Sequence, residues 1–183
     1  MAKKVDHGAA VAALHGLKRS GDWPSLERWM KKYFGNACQI CGKGPVQIHH
    51  WYPFHDCVLA GRPELERTFE NLTSLCETEK GKPTEDHHVV AGHCDDFKSY
   101  DKDLIQLIPA WKGLSGSQIK EMDNWKALAA TKPLSYPSMG ASDQSGFKAT
   151  LDTLFPKDKI AVWDGKQFIK NGQVFVPPAY KAG

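Results

Sequence analysis

Cysteine and histidine are the residue types in this sequence best suited to chemistry, and they are concentrated in one stretch. All five cysteines, Cys38, Cys41, Cys57, Cys76 and Cys94, fall within residues 38–94, together with His49, His50, His55, His87, His88 and His93. An odd cysteine count argues against a disulfide framework. Cys38-Gln-Ile-Cys41, followed by Gly42-Lys43-Gly44-Pro45, reads as a zinc knuckle. Such a tight turn aims two thiolates at one ion while backbone N–H groups soften their charge. No βαβ pattern surrounds it, which disfavours a thioredoxin-like dithiol. The dense histidines downstream strengthen the metal reading, because neutral imidazole ligates divalent ions and accepts protons near neutral pH.

These side chains need elements to hold them. Residues 8–19 read as a helix with a small alanine and leucine face. A second helix starts at Asp22-Trp23-Pro24, carries Leu26, Trp29, Met30, Tyr33 and Phe34 at helical spacing, and ends at Gly35-Asn36. Val46–Trp51 reads as a short strand closed by Pro53, and Leu72–Cys76 as a second. Residues 55–69 between them read as a loop with a helical turn at Pro63–Arg67, and residues 77–85 as a charged loop. Asp86 is placed to cap a short helix, His87–Ala91, that Gly92 closes. Further on, Leu104, Ile105, Leu107, Ile108 and Trp111 form an apolar patch and Ser117–Ala130 reads as one helix. Residues 131–146, TKPLSYPSMGASDQSG, read as a linker or long loop. Ile160–Asp164, Lys166–Lys170 and Gln173–Val176 are strand-like, and Asn171-Gly172 is a two-residue hairpin signal.

The chain has 183 residues, 41% apolar and 25% charged, which fits one folded domain with additions and excludes wholesale disorder. No stretch has the ~18 apolar residues of a membrane span, and the start lacks a continuous apolar core of signal-peptide type. The expectation is a soluble, unexported, cytoplasmic protein. The net charge of +3 is unevenly spread: residues 1–37 carry +4, residues 38–100 carry −4 and residues 101–183 carry +3. That layout suits a cation-holding centre between flanks able to meet a polyanion.

In order along the chain, CQIC at 38–41, IHHWYPF at 48–54, ENLTSLC at 70–76 and HHVVAGHCDDFKSYD at 87–101 resemble the HNH endonuclease family, of the zinc-stabilised bacterial and phage type. The resemblance implies an α+β fold with a small ββα-metal core at residues 38–100. Residues 1–37 would form an N-terminal helical region. Residues 101–183 would form a C-terminal extension of helix, Pro/Gly/Ser-rich loop and β-hairpin. It implies metal-dependent cleavage or nicking of double-stranded DNA, bound mainly through its phosphates with the hairpin–helix unit in the minor groove. His49 would be a metal ligand, His50 the general base that deprotonates water, and Asn71 the amide that ties the hairpin loop or orients the base. His88 and His93 would complete the site of a catalytic Mg²⁺, Mn²⁺, Ni²⁺ or Zn²⁺ ion.

Two features depart from the family's common pattern. His88 and His93 are five apart, about 140° around an ideal helix, so His93 must lie where the chain turns back after Gly92. His87 stands where a fourth cysteine is usual, so the structural zinc set becomes Cys38, Cys41, Cys76 and His87, with Cys94 or Cys57 as substitutes. Otherwise Cys57 and Cys94 read as small buried hydrophobes, and His55 and Asp56 as solvated loop residues. Lys98, Arg62 and Arg67 are candidates for phosphate contacts. The competing expectation is a non-catalytic, zinc-stabilised DNA-binding or phage packaging accessory on the same scaffold. A third is RNA cleavage.

Overall fold

A computed structural model of the chain describes residues 16–77 and 86–180. The helix expected over residues 8–19 lies mostly outside these, and Leu17–Arg19 are not helical. So does most of the charged loop at 77–85.

The fold is α+β, with two small antiparallel sheets and several short helices. Helix α1, Trp23–Tyr33, opens with Pro24 in its first turn and buries Trp23, Leu26 and Met30 on one face. It ends where Gly35 and Asn36 adopt left-handed backbone, with Asn36 N–H returning to the Lys31 carbonyl at 2.7 Å. Strand β1, Val46–His50, pairs antiparallel with β2, Leu72–Cys76, in a register that sets His49 opposite Thr73, His50 opposite Leu72 and Val46 opposite Cys76.

The segment joining β1 to β2 is more ordered than its composition suggests. Instead of a loop throughout, Phe54–Leu59 form helix α2, which buries Phe54, Asp56 and Cys57. A helix this short has little stability of its own, so burial of that face holds it. The helical turn at Pro63–Arg67 is present as a 3₁₀ helix, and a second covers Phe69–Asn71. After β2, Asp86 accepts from the N–H groups of His88 (2.9 Å) and Val89 (3.2 Å) and so caps the next helix. That helix is a π-helical turn over His88–Gly92 rather than an α-helix.

Beyond it come α3, Leu104–Leu107, then α4, Gly116–Glu121, and α5, Asp123–Ala130. The single helix expected over 117–130 is divided because Met122 is extended (φ −75°, ψ 140°) and Ser115 starts α4 with a capping box to Gln118. The expected linker at 131–146 is also corrected. Tyr136–Ser138 form a 3₁₀ turn and Ala141–Leu154 form α6, the longest described helix. Its buried stripe, Phe147 and Leu151, continues to Phe155. Last, β3 (Val162–Trp163), β4 (Phe168–Lys170) and β5 (Gln173–Phe175) make an antiparallel meander. Asn171 (φ 51°) and Gly172 (φ 74°) supply the two left-handed residues of its turn.

Two buried clusters unite these parts. One gathers Leu26, Met30 and Phe34 of the α1 region, Ile48, Leu72, and Ala161, Trp163 and Phe168 from the chain's far end. The other joins Ile40, Leu65, Leu75 and Val90 to Leu104, Trp111, Leu151 and Phe155. Residues 38–100 therefore share their core with both flanking segments.

Candidate metal centres

The knuckle at Cys38–Cys41 faces the end of β2 and the start of the π turn, bringing Cys38, Cys41, Cys76 and His87 together. One ligand atom from each lies within 4.8 Å of all the others. His87 Nδ1 is 3.1 Å from Cys76 Sγ and 3.6 Å from Cys38 Sγ, and Cys41 Sγ is 3.8 Å from Cys76 Sγ. His87 Nε2 stands 3.0 Å from the Leu114 carbonyl, so Nε2–H donates there and Nδ1 is left to ligate. The Ile40 N–H points at Cys38 Sγ (3.4 Å), a backbone dipole that stabilises a thiolate. The hydrogen bond from the Cys76 thiol, more than any other contact, holds the Cys38 thiol down to about 3 and pushes Cys76 up. Burial raises Cys41. Three thiols and one imidazole at these separations, all buried but the half-buried Cys41, fit a structural zinc with no open position. Cys57 and Cys94 belong to neither metal cluster. Both are buried, and burial raises both thiols.

A second cluster lies one residue further along. His49 of β1, His88 at the start of the π turn and His93 just past its end form a near-equilateral triangle, with ring centroids 5.1, 4.9 and 5.0 Å apart and planes crossing at 77–88°. One nitrogen from each lies within 4.8 Å of the other two. The π turn explains how residues five apart share a site. Its repeat is i→i+5, which brings His88 and His93 to one side of the helix, where an α-helix would splay them. His93 lies just past the helix end at Gly92, as the sequence reading has it, and the chain turns back through Cys94 and Asp95, while the widened turn brings its ring beside His88. Gly92 serves differently, because a Cβ there would sit 2.8 Å from His49 Cε1 and 3.0 Å from His49 Nε2. His93 Nδ1 lies 2.8 Å from the Ser99 carbonyl, so Nδ1–H donates and Nε2 turns toward the triad. His49 Nε2 is buried and makes no hydrogen bond among the described residues. Burial foremost, then the neighbouring charges of His93 and His88, keeps His49 well below the usual histidine range. It is therefore neutral, the form a metal needs. A buried orphan nitrogen facing two further imidazoles fits a divalent cation.

His50 points to the other face of β1, as alternation along a regular strand requires. Its ring stacks on Trp23 (4.8 Å, 23°) and leans on Phe54 (5.8 Å). Its Nε2 lies 3.0 Å from the Glu66 carbonyl, so Nε2 carries the proton and Nδ1 the lone pair. Burial and then the charge of Arg19 hold His50 well below the usual range. The Arg19 guanidinium itself lies 4.2 Å over the Trp23 ring and 4.4 Å over that of Phe54.

Asn71 is fully buried and clamps the chain on both sides of the hairpin. Its Oδ1 accepts from Tyr52 N–H (2.8 Å), and its Nδ2 donates to the carbonyls of Tyr52 and Leu65 (3.0 Å each). Arg62 is not available to phosphate. It is buried and engaged with Glu64, Asp152 and the Phe155 carbonyl. Arg67 pairs with Asp22 at 3.2 Å, and Lys98 is exposed.

The solvated-loop reading of His55 and Asp56 is overturned. Asp56 is 1% exposed, accepts from Tyr136 N–H (3.0 Å) and lies 3.3 Å from His55 Nε2. No sequence signal marked the π turn or the close approach at Gly92. No described helix is long and apolar enough to cross a membrane. Compared with protein-family models, curated proteins and solved structures, the chain matches none.

Proposed function

We propose that the protein is a metal-dependent endonuclease or nickase of the HNH kind, hydrolysing phosphodiester bonds of double-stranded DNA on a zinc-stabilised ββα-metal core. The observation that carries this reading is the contrast between consecutive residues. His49 joins an imidazole triad suited to a divalent cation, while His50 is held as a neutral base by the Glu66 carbonyl. A structural zinc at Cys38, Cys41, Cys76 and His87 makes no use of the triad.

Hydrolysis needs a deprotonated water, charge to offset the phosphorane, and help for the departing 3′-oxygen. His49, His88 and His93 would hold a divalent cation, which when bound would supply Lewis-acid charge for the last two. His50 serves the first. Its ring lies on the opposite face of β1 from the triad, so to take the proton from a water at the ion it has to swing off the Glu66 carbonyl, and its depressed basicity keeps it unprotonated at neutral pH. Trp23 and Phe54 hold the imidazole plane, and Asn71 holds the loop that follows it. Asn71 is thus a positioning residue, acting through the backbone of Tyr52 and Leu65. Cys38, Cys41, Cys76 and His87 would hold a structural zinc that takes no part in the chemistry.

The test is incubation of supercoiled plasmid with the purified chain and Mg²⁺, Mn²⁺ or Ni²⁺, beside a His50→Ala control. The expected result is metal-dependent nicking that the substitution reduces by about 10² or more. Equal activity in both proteins, or none in either with the triad metal bound, would instead support the non-catalytic DNA-binding reading.

A further inference from the structure

Phe97 is a large apolar ring held in water at the edge of the histidine triad. It is 37% exposed, and its centroid lies 5.0 Å from that of His93 and 6.1 Å from that of His88. The other exposed large hydrophobic residues among those described, such as Leu134 and Val176, are all aliphatic.

The loop presenting it is strained and rigid. Cys94 (φ 48°) and Asp95 (φ 63°) are consecutive non-glycine residues in the left-handed region, a conformation that persists only where surroundings impose it. They are imposed here. Asp95 N–H bonds to the Val89 carbonyl (3.0 Å), Asp96 N–H to that of His93 (2.9 Å), and Ser99 N–H to that of Asp96 (2.8 Å). Lys98 N–H bonds to Asp96 Oδ1 (3.0 Å). The same loop returns Ser99 to His93. The backbone on either side of Phe97 is therefore held beside the triad, and the exposed part of its ring leaves water only when something apolar covers it.

We propose that Phe97 is a substrate-contacting residue, packing against the sugar and base edge of the nucleotide beside the scissile phosphate, with Lys98 on the adjoining phosphate. The assignment rests on the endonuclease reading. An aromatic ring suits that role because every base and sugar offers it an apolar face, and side chains of this type wedge into the minor groove. Its place on two of the three triad rings puts the contact within one nucleotide of the ion.

The test uses steady-state nicking of a short duplex that the wild-type chain cuts, with Mn²⁺. Phe97→Ala should raise KM about tenfold with kcat within about twofold. Phe97→Trp should restore KM to within about threefold. The salt dependence of KM should be unchanged in Phe97→Ala and shallower by about one in Lys98→Ala. Elemental analysis should find the metal content of Phe97→Ala unaltered. An unchanged KM, a loss of triad metal, or a salt slope that falls as in Lys98→Ala would each overturn the proposal. Duplex binding by His50→Ala and by His50→Ala/Phe97→Ala, followed by fluorescence anisotropy, separates it from the catalytic reading. Weaker binding in the double variant supports the contact even if no plasmid is nicked, and equal binding, or none by either, sinks it.

Discussion

At Gly92 the ring of His49 occupies the space that any side chain would take, with its Cε1 2.8 Å from where a Cβ would stand. Adding a methyl group there forces the imidazole to shift, and metal ligands tolerate little displacement. Gly92→Ala should therefore weaken Mn²⁺ or Ni²⁺ binding at the triad about 10–100-fold, the range seen when a ligand loses its support. Zinc at the Cys38 centre should be retained. Calorimetric titration of the cation beside elemental analysis for zinc checks this, and equal affinity in the two proteins would show that His49 is no ligand. Cys38 and Cys41 were legible from knuckle spacing, whereas the other members of both clusters were expected from the resemblance to the HNH pattern. The orientation of each imidazole was not. It depends on the carbonyls of Leu114, Ser99 and Glu66, and a backbone acceptor leaves no signature in residue type.

Among the elements, the β1–β2 pair was readable from β-branched residues bounded by Pro53 and the knuckle, and α1 from its apolar spacing. The π turn was not, since its residues differ in no way from those of an α-helix. Helix α6 was hidden because serine and glycine dominate its first turns, and its apolar stripe begins only at Phe147. Burial of that stripe overrides weak local propensity. The β1–β2 pair also shows what zinc contributes. Cys76 ends β2 opposite Val46, the first residue of β1, so a zinc ion held there would tie the open end of a two-stranded ribbon too short to stand alone. Stripping zinc with a chelator should cost about 4 kcal/mol or more, which for a chain of this size lowers Tm by ~10 °C. A thermal melt repeated with elemental analysis tests this, and an unchanged Tm in zinc-free protein would refute the structural role.

Across the whole molecule, the C-terminal segment is fastened to the centre by buried polar contacts as well as by packing. Arg62 reaches Asp152 and the Phe155 carbonyl, and Asp56 receives the Tyr136 N–H. Burial raises the Asp56 carboxyl to about 7, opposed by that N–H. Its proton is thus held more tightly in the folded chain than in the unfolded one, where an aspartate titrates near ~3.9. The stability associated with protonated Asp56 is full below pH ~4 and is lost as pH rises through about 7. Asp56→Asn should keep the Tyr136 contact without the charge. Its stability should fall less than that of the wild type between pH 4 and 7, measured by urea unfolding across that range, and parallel curves would contradict the assignment. His87 and His88 are consecutive, yet one belongs to each cluster. A single peptide plane is thus shared by both centres and cannot tilt to suit one without tilting for the other. The link is mechanical rather than electrostatic: a zinc ion held by His87 would set the pivot, and any cation taken by His88 would inherit a geometry already decided.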